Sequence, residues 1–295
     1  MLILGLNKTT LLDYPGRVAA TVFTGGCNFR CPFCHNADLV LKPSLVERYT
    51  EEEIFAFLEK RRGILKGVCV TGGEPCIQAD LPEFLKKIKG MGYLVKLDTN
   101  GYMPAVLNGL LEQKLLDYVA MDVKNCKEKY AQTAGFLPGK ADCPYAGKES
   151  AKGKRKDPAL AEKEVFCLER IEESMKILKQ SGIDYEFRTT VVRELHTKED
   201  IVKIGEWLAG CPHYFLQQYQ DNEKVINKVL TSGKPLHQET SCREAEKREE
   251  KDTGSREEKD TELLHGYHRK EMEEMEKALK ELPGMTGEVA LRGVD

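Results

Sequence analysis

Three cysteines lie close together near the start of the chain, in the stretch CNFRCPFCHN at positions 27–36. Cys27, Cys31 and Cys34 have the spacing C-x3-C-x2-C. Thiolates are preferred ligands of zinc and of iron–sulfur clusters. A [4Fe–4S] cubane takes one ligand for each iron, so three cysteines leave one iron with an open coordination position. The triplet therefore predicts a cluster that can bind a small molecule at its fourth iron.

A structural zinc site is the alternative for this triplet. Such sites normally have four protein ligands, and His35 is the nearest candidate for the fourth. His35 directly follows Cys34, however, and this is a poor spacing for two residues that must hold one ion. The next cysteine, Cys69, falls on a predicted strand well away from the triplet. The spacing favours the cluster.

Three further motifs follow apolar runs: TGGEP at 71–75, LDTNG at 97–101 and MDVKN at 121–125. Paired glycines allow the backbone to approach a ligand closely, although a strand-to-helix turn would also use them. Asp and Asn are common turn residues, so LDTNG alone is a weak signal. The aspartate and lysine of MDVKN could equally form a surface ion pair.

The triplet after a strand, with Phe33 before its third cysteine and TGGEP downstream, resembles the radical S-adenosylmethionine superfamily. The resemblance implies that the methionine amino and carboxylate groups of the cofactor chelate the open iron. It also implies that the reduced cluster cleaves the sulfonium and that a 5′-deoxyadenosyl radical forms. Cys27, Cys31 and Cys34 are then the catalytic cluster ligands. The radical chemistry belongs to the cofactor, while the protein binds it, orients it and excludes water.

The wider chain resembles the activating proteins of anaerobic ribonucleoside-triphosphate reductase, over about residues 5–135, 165–235 and 268–293. LLDYPG at 11–16 supports this assignment, although a plain turn explains it fully. The implied reaction removes a hydrogen atom from the α-carbon of a glycine in a partner. That partner is anaerobic ribonucleotide reductase or another glycyl radical enzyme. The implied electron donor is a protein such as flavodoxin or ferredoxin.

The resemblance also implies roles for individual residues. The implied cofactor-binding residues are Phe33, Gly72, Gly73, Glu74, Asp98, Asn100 and Lys124. Arg188 and Thr190 are two residues apart in a predicted strand and so share one face, from which we expect contact with the ribose or methionine part of the cofactor. A monovalent cation near the cofactor carboxylate is implied at Asp98, Thr99 and Asp122, whose oxygens suit a hard cation. Related enzymes carry a histidine near the end of the last strand, where this chain offers Gln218 and Gln220 instead. His196, a lone histidine, is expected to be exposed or structural.

Short apolar runs alternate with amphipathic segments along the chain. They predict strands at 18–24, 67–73, 93–101, 117–125, 185–192 and 213–220, with a further short strand at 288–293. They predict helices at 51–63, 81–92, 105–116, 167–182, 198–210 and 271–282. Such alternation indicates an α/β fold with a parallel sheet and outer helices. We expect a partial (β/α)6 barrel of the radical S-adenosylmethionine type, with surface insertions and the site at the carboxyl ends of the strands.

Two stretches interrupt this alternation because they carry too little apolar surface to offset the entropy of ordering. The first, at 138–165, is predicted to be a charged, flexible insertion within a core domain at 1–237. The second, at 238–262, is predicted to be a charged, disordered insertion. Residues 263–295 should then form a C-terminal helix and short strand that pack on the core.

The composition excludes several classes of protein. The chain has 295 residues, 45 of them basic and 48 acidic, for a net charge of -3, which argues against a nucleic-acid partner. No stretch has the ~18 apolar residues of a membrane span, so we expect no membrane partner and a cytoplasmic location. Ten cysteines in a cytoplasmic protein do not indicate a disulfide framework.

Two other functions remain open at this stage. A radical enzyme that acts on a small molecule, for instance in deazapurine biosynthesis, would share every motif above. A non-catalytic iron–sulfur electron carrier or a zinc-stabilised interaction domain is the second. An electron carrier would normally supply four cysteines and has no need of the GGEP or DTNG motifs.

Overall fold

The computed structural model describes residues 1–136, 166–220, 225–226 and 264–294. Its centre is one eight-stranded sheet whose strands lie side by side in chain order. The strands are β1 Ile3–Thr10, β2 Ala19–Thr24, β3 Gly67–Gly72, β4 Leu94–Thr99, β5 Tyr118–Asp122, β6 Asp184–Val191, β7 His213–Gln218 and β8 Glu288–Arg292. The helices are α1 Ala37–Leu41, α2 Glu51–Lys60, α3 Leu81–Gly90, α4 Pro104–Glu112, α5 Tyr130–Thr133, α6 Leu168–Gln180, α7 Lys198–Leu208 and α8 Arg269–Lys280.

The sheet is parallel from β2 to β8, and β1 joins it antiparallel to β2. Strands β1 and β8 are its two edges, and no pairing joins them within the part of the chain that the structure describes. The sheet is therefore a partial barrel, as predicted. The six predicted strands are β2 to β7, and the short strand predicted near the end is β8.

Strand β1 was not predicted, and neither were the short helices α1 and α5. The second half of β1 reads NKTT and is mostly exposed, because this edge strand has solvent beside it. It therefore lacks the apolar run or clean alternation that reveals a strand in a sequence. The six predicted helices are all present, with ends displaced by a few residues. Capping boxes fix the starts of two of them, at Thr50 before α2 and at Thr197 before α7.

Strand β4 shows how the sheet separates two environments. Val95 and Leu97 are fully buried in the main apolar core, which the outer helices cover. Lys96 and Asp98 alternate with them and point to the other face, inside the barrel. The barrel interior therefore carries charged side chains on this strand, and the same face carries the candidate site.

The C-terminal residues 264–294 take part in the same sheet. Strand β8 pairs with β7, and α8 packs against α7 and β8. Arg292 of β8 donates to both carboxylate oxygens of the fully buried Glu186 on β6, at 2.7 and 2.8 Å. The predicted insertions at 138–165 and 238–262 lie outside the described residues. No described helix is both long and apolar enough to span a membrane.

Candidate active site

A cavity of about 440 Å³ opens at the carboxyl ends of the parallel strands. Most of the residues singled out in the sequence line it. The predicted site residues in its wall are Cys27, Cys31, Phe33, Cys34, Gly72, Gly73, Asp98, Thr99, Asn100, Asp122, Lys124, Arg188 and Thr190. Glu74 is the one predicted site residue outside this lining. Residues far apart in the chain are thus brought to one place by the common direction of the strands.

The three cysteines lie in the loop between β2 and α1, and backbone and side-chain hydrogen bonds shape that loop. Arg30 donates to the carbonyl oxygens of Cys27 and Phe29, at 2.5 and 2.8 Å. The side-chain Nδ2 of Asn36 donates to the backbone carbonyl oxygen of Gly72 at 2.8 Å and so connects the end of the loop to β3. These contacts leave the three thiols facing the cavity.

The thiols are neutral in the protein alone. Burial raises the pKa of Cys27 and of Cys31 to about 12, and it raises the pKa of Cys34 as well. The nearby Lys124 ammonium offsets part of this effect at Cys31. Since metals bind thiolates, a metal must displace these protons when it enters. A buried, protonated thiol triplet is consistent with a site that becomes ionised only when a metal centre is present.

The donor set fits a cluster with three protein ligands better than a zinc ion. Among the described residues, no three His, Cys, Asp or Glu side chains converge on one point that could hold a single ion. A cubane makes no such demand, because each cysteine binds a different iron. His35, the candidate fourth zinc ligand, stacks on Tyr219 at 5.5 Å, and its Nε2 lies 3.0 Å from the carbonyl oxygen of Gln220.

The paired glycines of TGGEP are required by the cluster loop. A Cβ on Gly73 would lie 1.8 Å from the carbonyl oxygen of Gly26, and Gly72 has a φ of +115°. The close approach lets the Gly73 amide donate to Thr24 at 2.8 Å and the Glu74 amide donate to Gly26 at 2.9 Å. The glycines thus bring the end of β3 against the start of the cluster loop and also line the cavity.

Glu74 braces the end of β3 to the end of β4. Its side chain is enclosed, at 1% exposure, and its carboxylate accepts hydrogen bonds from Thr99 Oγ1 at 2.8 Å and from the Asn100 amide at 2.7 Å. A third bond comes from the Cys76 amide at 3.0 Å. Burial raises the pKa of Glu74 despite these bonds. The carboxylate is therefore already engaged within the protein, away from the cavity where a cofactor contact was expected.

A network of buried charges crosses the cavity wall from β4 to β6. Arg188 donates to Asp122 Oδ1 at 2.9 Å and to Asp98 Oδ2 at 3.2 Å. Lys124 donates to Asp122 at 2.9 Å, and Lys96 pairs with Asp98. Burial alone would raise the pKa of Asp122, but Arg188 and Lys124 lower it to about 2. The two carboxylates are therefore ionised, and three protein cations already face them.

The backbone of Lys124 is hydrogen-bonded to His196, a residue for which the sequence suggested no specific contact. His196 is fully buried, with Nδ1 accepting from the Val192 amide at 3.1 Å and Nε2 donating to the Lys124 carbonyl at 2.8 Å. Burial lowers the pKa of His196, so the ring is neutral. His196 was expected to be either exposed or structural, and the structure shows that it is structural.

Several cavity residues were missed in the sequence. Asp13 of LLDYPG lines the cavity and accepts a hydrogen bond from Thr21 Oγ1 at 2.5 Å. On β7 the lining residue is Gln217, whereas Gln218 donates to the Tyr267 carbonyl at 2.6 Å. The register could have revealed this, because Gln217 is the parallel partner of Thr190 and must share its face. No local signal marked Asp13.

Comparison with known proteins places these features among relatives. The family model for the radical SAM superfamily matches residues 21–208. A candidate glycyl-radical enzyme activating enzyme of Methanocaldococcus jannaschii is 30% identical over 244 residues, which cover 82% of this chain and 89% of that protein.

Two further relatives match shorter stretches. The pyruvate formate-lyase-activating enzyme of Clostridium pasteurianum is 33% identical over 124 residues, covering 41% of this chain and 51% of that enzyme. The 7-carboxy-7-deazaguanine synthase of Thermoplasma acidophilum is 35% identical over 129 residues, covering 42% of this chain and 54% of that enzyme.

Proposed function

The chain belongs to the radical SAM superfamily, and from this premise we propose that it is the activating enzyme of a glycyl radical enzyme. Membership implies a [4Fe–4S] cluster and S-adenosylmethionine as cofactors. The proposed reaction removes a hydrogen atom from the α-carbon of one glycine in a partner protein. Anaerobic ribonucleotide reductase is the proposed partner, and a flavodoxin or ferredoxin is the proposed electron donor.

The observation that carries the proposal is that one cavity gathers the cysteine triplet and the polar strand ends. In the part of the chain that the structure describes, β1 and β8 do not pair, and we propose that a loop of the partner reaches the site between these two edge strands. The relative from Methanocaldococcus jannaschii, which matches 82% of the chain, supports activation of a glycyl radical enzyme.

The protein's own residues would divide the work as follows. Cys27, Cys31 and Cys34 would hold the cluster, and the Lys124 ammonium would offset the cofactor carboxylate. The remaining residues proposed to orient the cofactor are Phe33, Gly72, Gly73, Asn100, Arg188 and Thr190. When bound, the cluster supplies the electron that cleaves S-adenosylmethionine and so starts hydrogen abstraction. Glu74 would act indirectly, because it fixes the strand ends that carry Thr99 and Asn100.

A monovalent cation at Asp98, Thr99 and Asp122 stays a prediction. Carboxylate and hydroxyl oxygens suit such an ion. Both carboxylates already face Arg188, however, at 2.9 and 3.2 Å, so a bound cation would have to share them with the guanidinium or displace it.

Action on a small molecule is the second candidate. The deazaguanine synthase relative supports it, although that similarity covers 42% of this chain. The two candidates differ in which molecule loses a hydrogen atom after the cofactor is cleaved, a small molecule or a glycine of a partner protein. A small-molecule enzyme would leave no radical on any partner protein, whereas an activating enzyme must leave a stable one on its partner.

The test is anaerobic reconstitution with iron and sulfide, followed by reduction with S-adenosylmethionine and the organism's own anaerobic ribonucleotide reductase. We expect 5′-deoxyadenosine to form and a glycyl radical signal to appear on the reductase in electron paramagnetic resonance spectra. Cys27→Ala, Cys31→Ala and Cys34→Ala should each abolish both. Cys211→Ala, at a buried cysteine outside the cavity lining, is the matched control and should keep both. Cofactor cleavage without any radical on the reductase would contradict the proposed partner.

A further inference from the structure

One buried donor beside the cysteine triplet is left without a partner. The Nδ2 atom of Asn28, the residue after Cys27, is enclosed and makes no hydrogen bond to any described residue. It is the only such buried side-chain atom in the part of the chain that the structure describes. Enclosing a donor without a partner is unfavourable, so its presence calls for an acceptor that the described residues do not provide.

The orientation of the Asn28 amide is set by its neighbour Asn100. The side-chain oxygen Oδ1 of Asn100 accepts a hydrogen bond from the backbone amide of Tyr102 at 2.9 Å. The side-chain nitrogen Nδ2 of Asn100 must therefore point the other way. That Nδ2 donates to Asn28 Oδ1 at 2.7 Å and lies 3.8 Å from Cys27 Sγ. Turning the Asn28 amide over would set two donors against each other. The unpaired atom of Asn28 is therefore its nitrogen.

The two amides thus form a fixed pair against one predicted cluster ligand. Asn100 lines the cavity and is 6% exposed, so it cannot move freely. The thiol of Cys27 lies 3.8 Å from Asn28 Oδ1. When Cys27 gives up its proton to bind iron, it becomes an acceptor only and no longer has a hydrogen for that oxygen. A cluster bound at the triplet would bring sulfur acceptors to this pair, from the Cys27 thiolate and from inorganic sulfide.

We propose that Asn28 and Asn100 are positioning residues that donate hydrogen bonds to the sulfur atoms of the cluster and make it easier to reduce. The inference rests on the proposed function only in requiring that a cluster binds at the triplet. Reduction adds one negative charge to a cluster that is already anionic with its thiolates. N–H dipoles directed at sulfur stabilise the reduced state more than the oxidised one, and hydrogen bonding to sulfur is a recognised determinant of cluster potential.

The test is a redox titration of the reconstituted cluster, together with proton electron–nuclear double resonance of the reduced cluster in H2O and in D2O. We expect the wild type to show exchangeable protons coupled to the cluster. In Asn28→Leu, whose side chain has the same number and branching of heavy atoms but no N–H donor, one such coupling should be lost. The ratio of reduced to oxidised cluster at the wild-type midpoint potential should fall about threefold to tenfold, and a tenfold fall corresponds to 59 mV for one electron.

Asn28→Ala repeats the test with a smaller side chain, in case the leucine variant assembles no cluster. Asn108→Ala, at an asparagine on α4 that pairs with Glu112, is the matched control and should leave both readouts unchanged. A wild-type cluster without coupled exchangeable protons would overturn the inference without any variant. So would Asn28 variants that keep the wild-type coupling, whatever their potential. Neither result affects the proposed function, which fails only if the triplet binds no cluster or the cluster does not act on the cofactor.

Discussion

Asp13 is a carboxylate in the cavity wall that makes no ion pair with any other described residue. Its side chain accepts a hydrogen bond from the Thr21 hydroxyl at 2.5 Å, whereas Asp98 and Asp122 are paired with cations. A carboxylate of this kind can accept an N–H donor from a bound peptide, and such charge-assisted bonds contribute about 1.5–3 kcal/mol. We predict that Asp13 contacts a bound peptide of the partner rather than the cofactor.

We therefore expect Asp13→Asn to separate two measurements. Formation of 5′-deoxyadenosine without the partner should stay within about twofold of the wild type, while glycyl radical formation on the partner should fall about tenfold or more. Asp184→Asn serves as the control and should change neither, because this aspartate is exposed at the start of β6, away from the carboxyl end of the strand. An equal loss of both activities in Asp13→Asn would place Asp13 with the cofactor instead.

His196 gives a prediction about stability and pH. Its pKa is lowered in the folded protein, whereas the unfolded chain binds the proton near pH 6.5. As pH falls through 6.5 the unfolded state gains a proton that the folded state does not, so folding stability decreases. Between pH 7 and pH 5.5, the free energy of unfolding of the apoprotein should fall about 1 kcal/mol more for the wild type than for His196→Gln.

Urea unfolding at the two pH values measures this difference. Asn108→Ala, which removes no titratable group, is the control and should keep the wild-type pH response. A His196→Gln variant with the same pH response as the wild type would show that this buried histidine does not contribute to it.

At the scale of elements, strand β8 is joined to the sheet by more than its backbone pairing. Arg292 reaches over the Phe215 ring of β7, 3.5 Å from its centroid, to the buried Glu186 of β6. Glu186 also accepts a hydrogen bond from the Tyr118 hydroxyl of β5 at 2.8 Å. The ion pair thus connects the edge strand β8 to β6, and the tyrosine hydrogen bond extends this connection to β5.

Arg292→Met should lower the free energy of unfolding by about 3 kcal/mol at neutral pH, because it leaves Glu186 buried without its cation. The loss should shrink at acid pH, where Glu186 can be protonated. Arg269→Met removes an exposed pair with Glu273 on α8 and should cost less than about 1 kcal/mol. Urea unfolding of both variants gives the comparison. Equal effects of the two substitutions would mean that the buried pair does not secure β8.

Elements with a clear period were predictable, and elements or contacts set by tertiary structure were not. Strands β2 to β7 are apolar runs because helices cover their outer faces, so the sequence carries their signal. Strand β1 is a half-exposed edge and carries little. The glutamine position on β7 was misplaced by one residue, since alternation decides which side chain faces inward and only the register with Thr190 fixes its phase.

For the whole molecule, parallel strands place their carboxyl ends at one edge of the sheet, and this alone predicted that the candidate residues lie close together. The cysteine triplet, the glycine pair and the polar strand ends share one cavity. What the sequence could not provide were partners distant in the chain. Glu74 is a typical motif residue in the sequence, yet Thr99 and Asn100 engage its carboxylate. The sequence offered Lys124 as a partner for Asp122, but it did not reveal that Arg188, on a strand far along the chain, pairs with both Asp98 and Asp122.

The central claim is that Cys27, Cys31 and Cys34 hold a [4Fe–4S] cluster whose fourth iron binds S-adenosylmethionine. Mössbauer and electron paramagnetic resonance spectra of the anaerobically reconstituted protein, recorded before and after S-adenosylmethionine is added, test it most directly. We expect a [4Fe–4S] cluster with one iron site distinct from the other three, whose spectrum changes when the cofactor is added. Bound zinc in place of the cluster, or a cluster whose spectra are identical with and without S-adenosylmethionine, would contradict it.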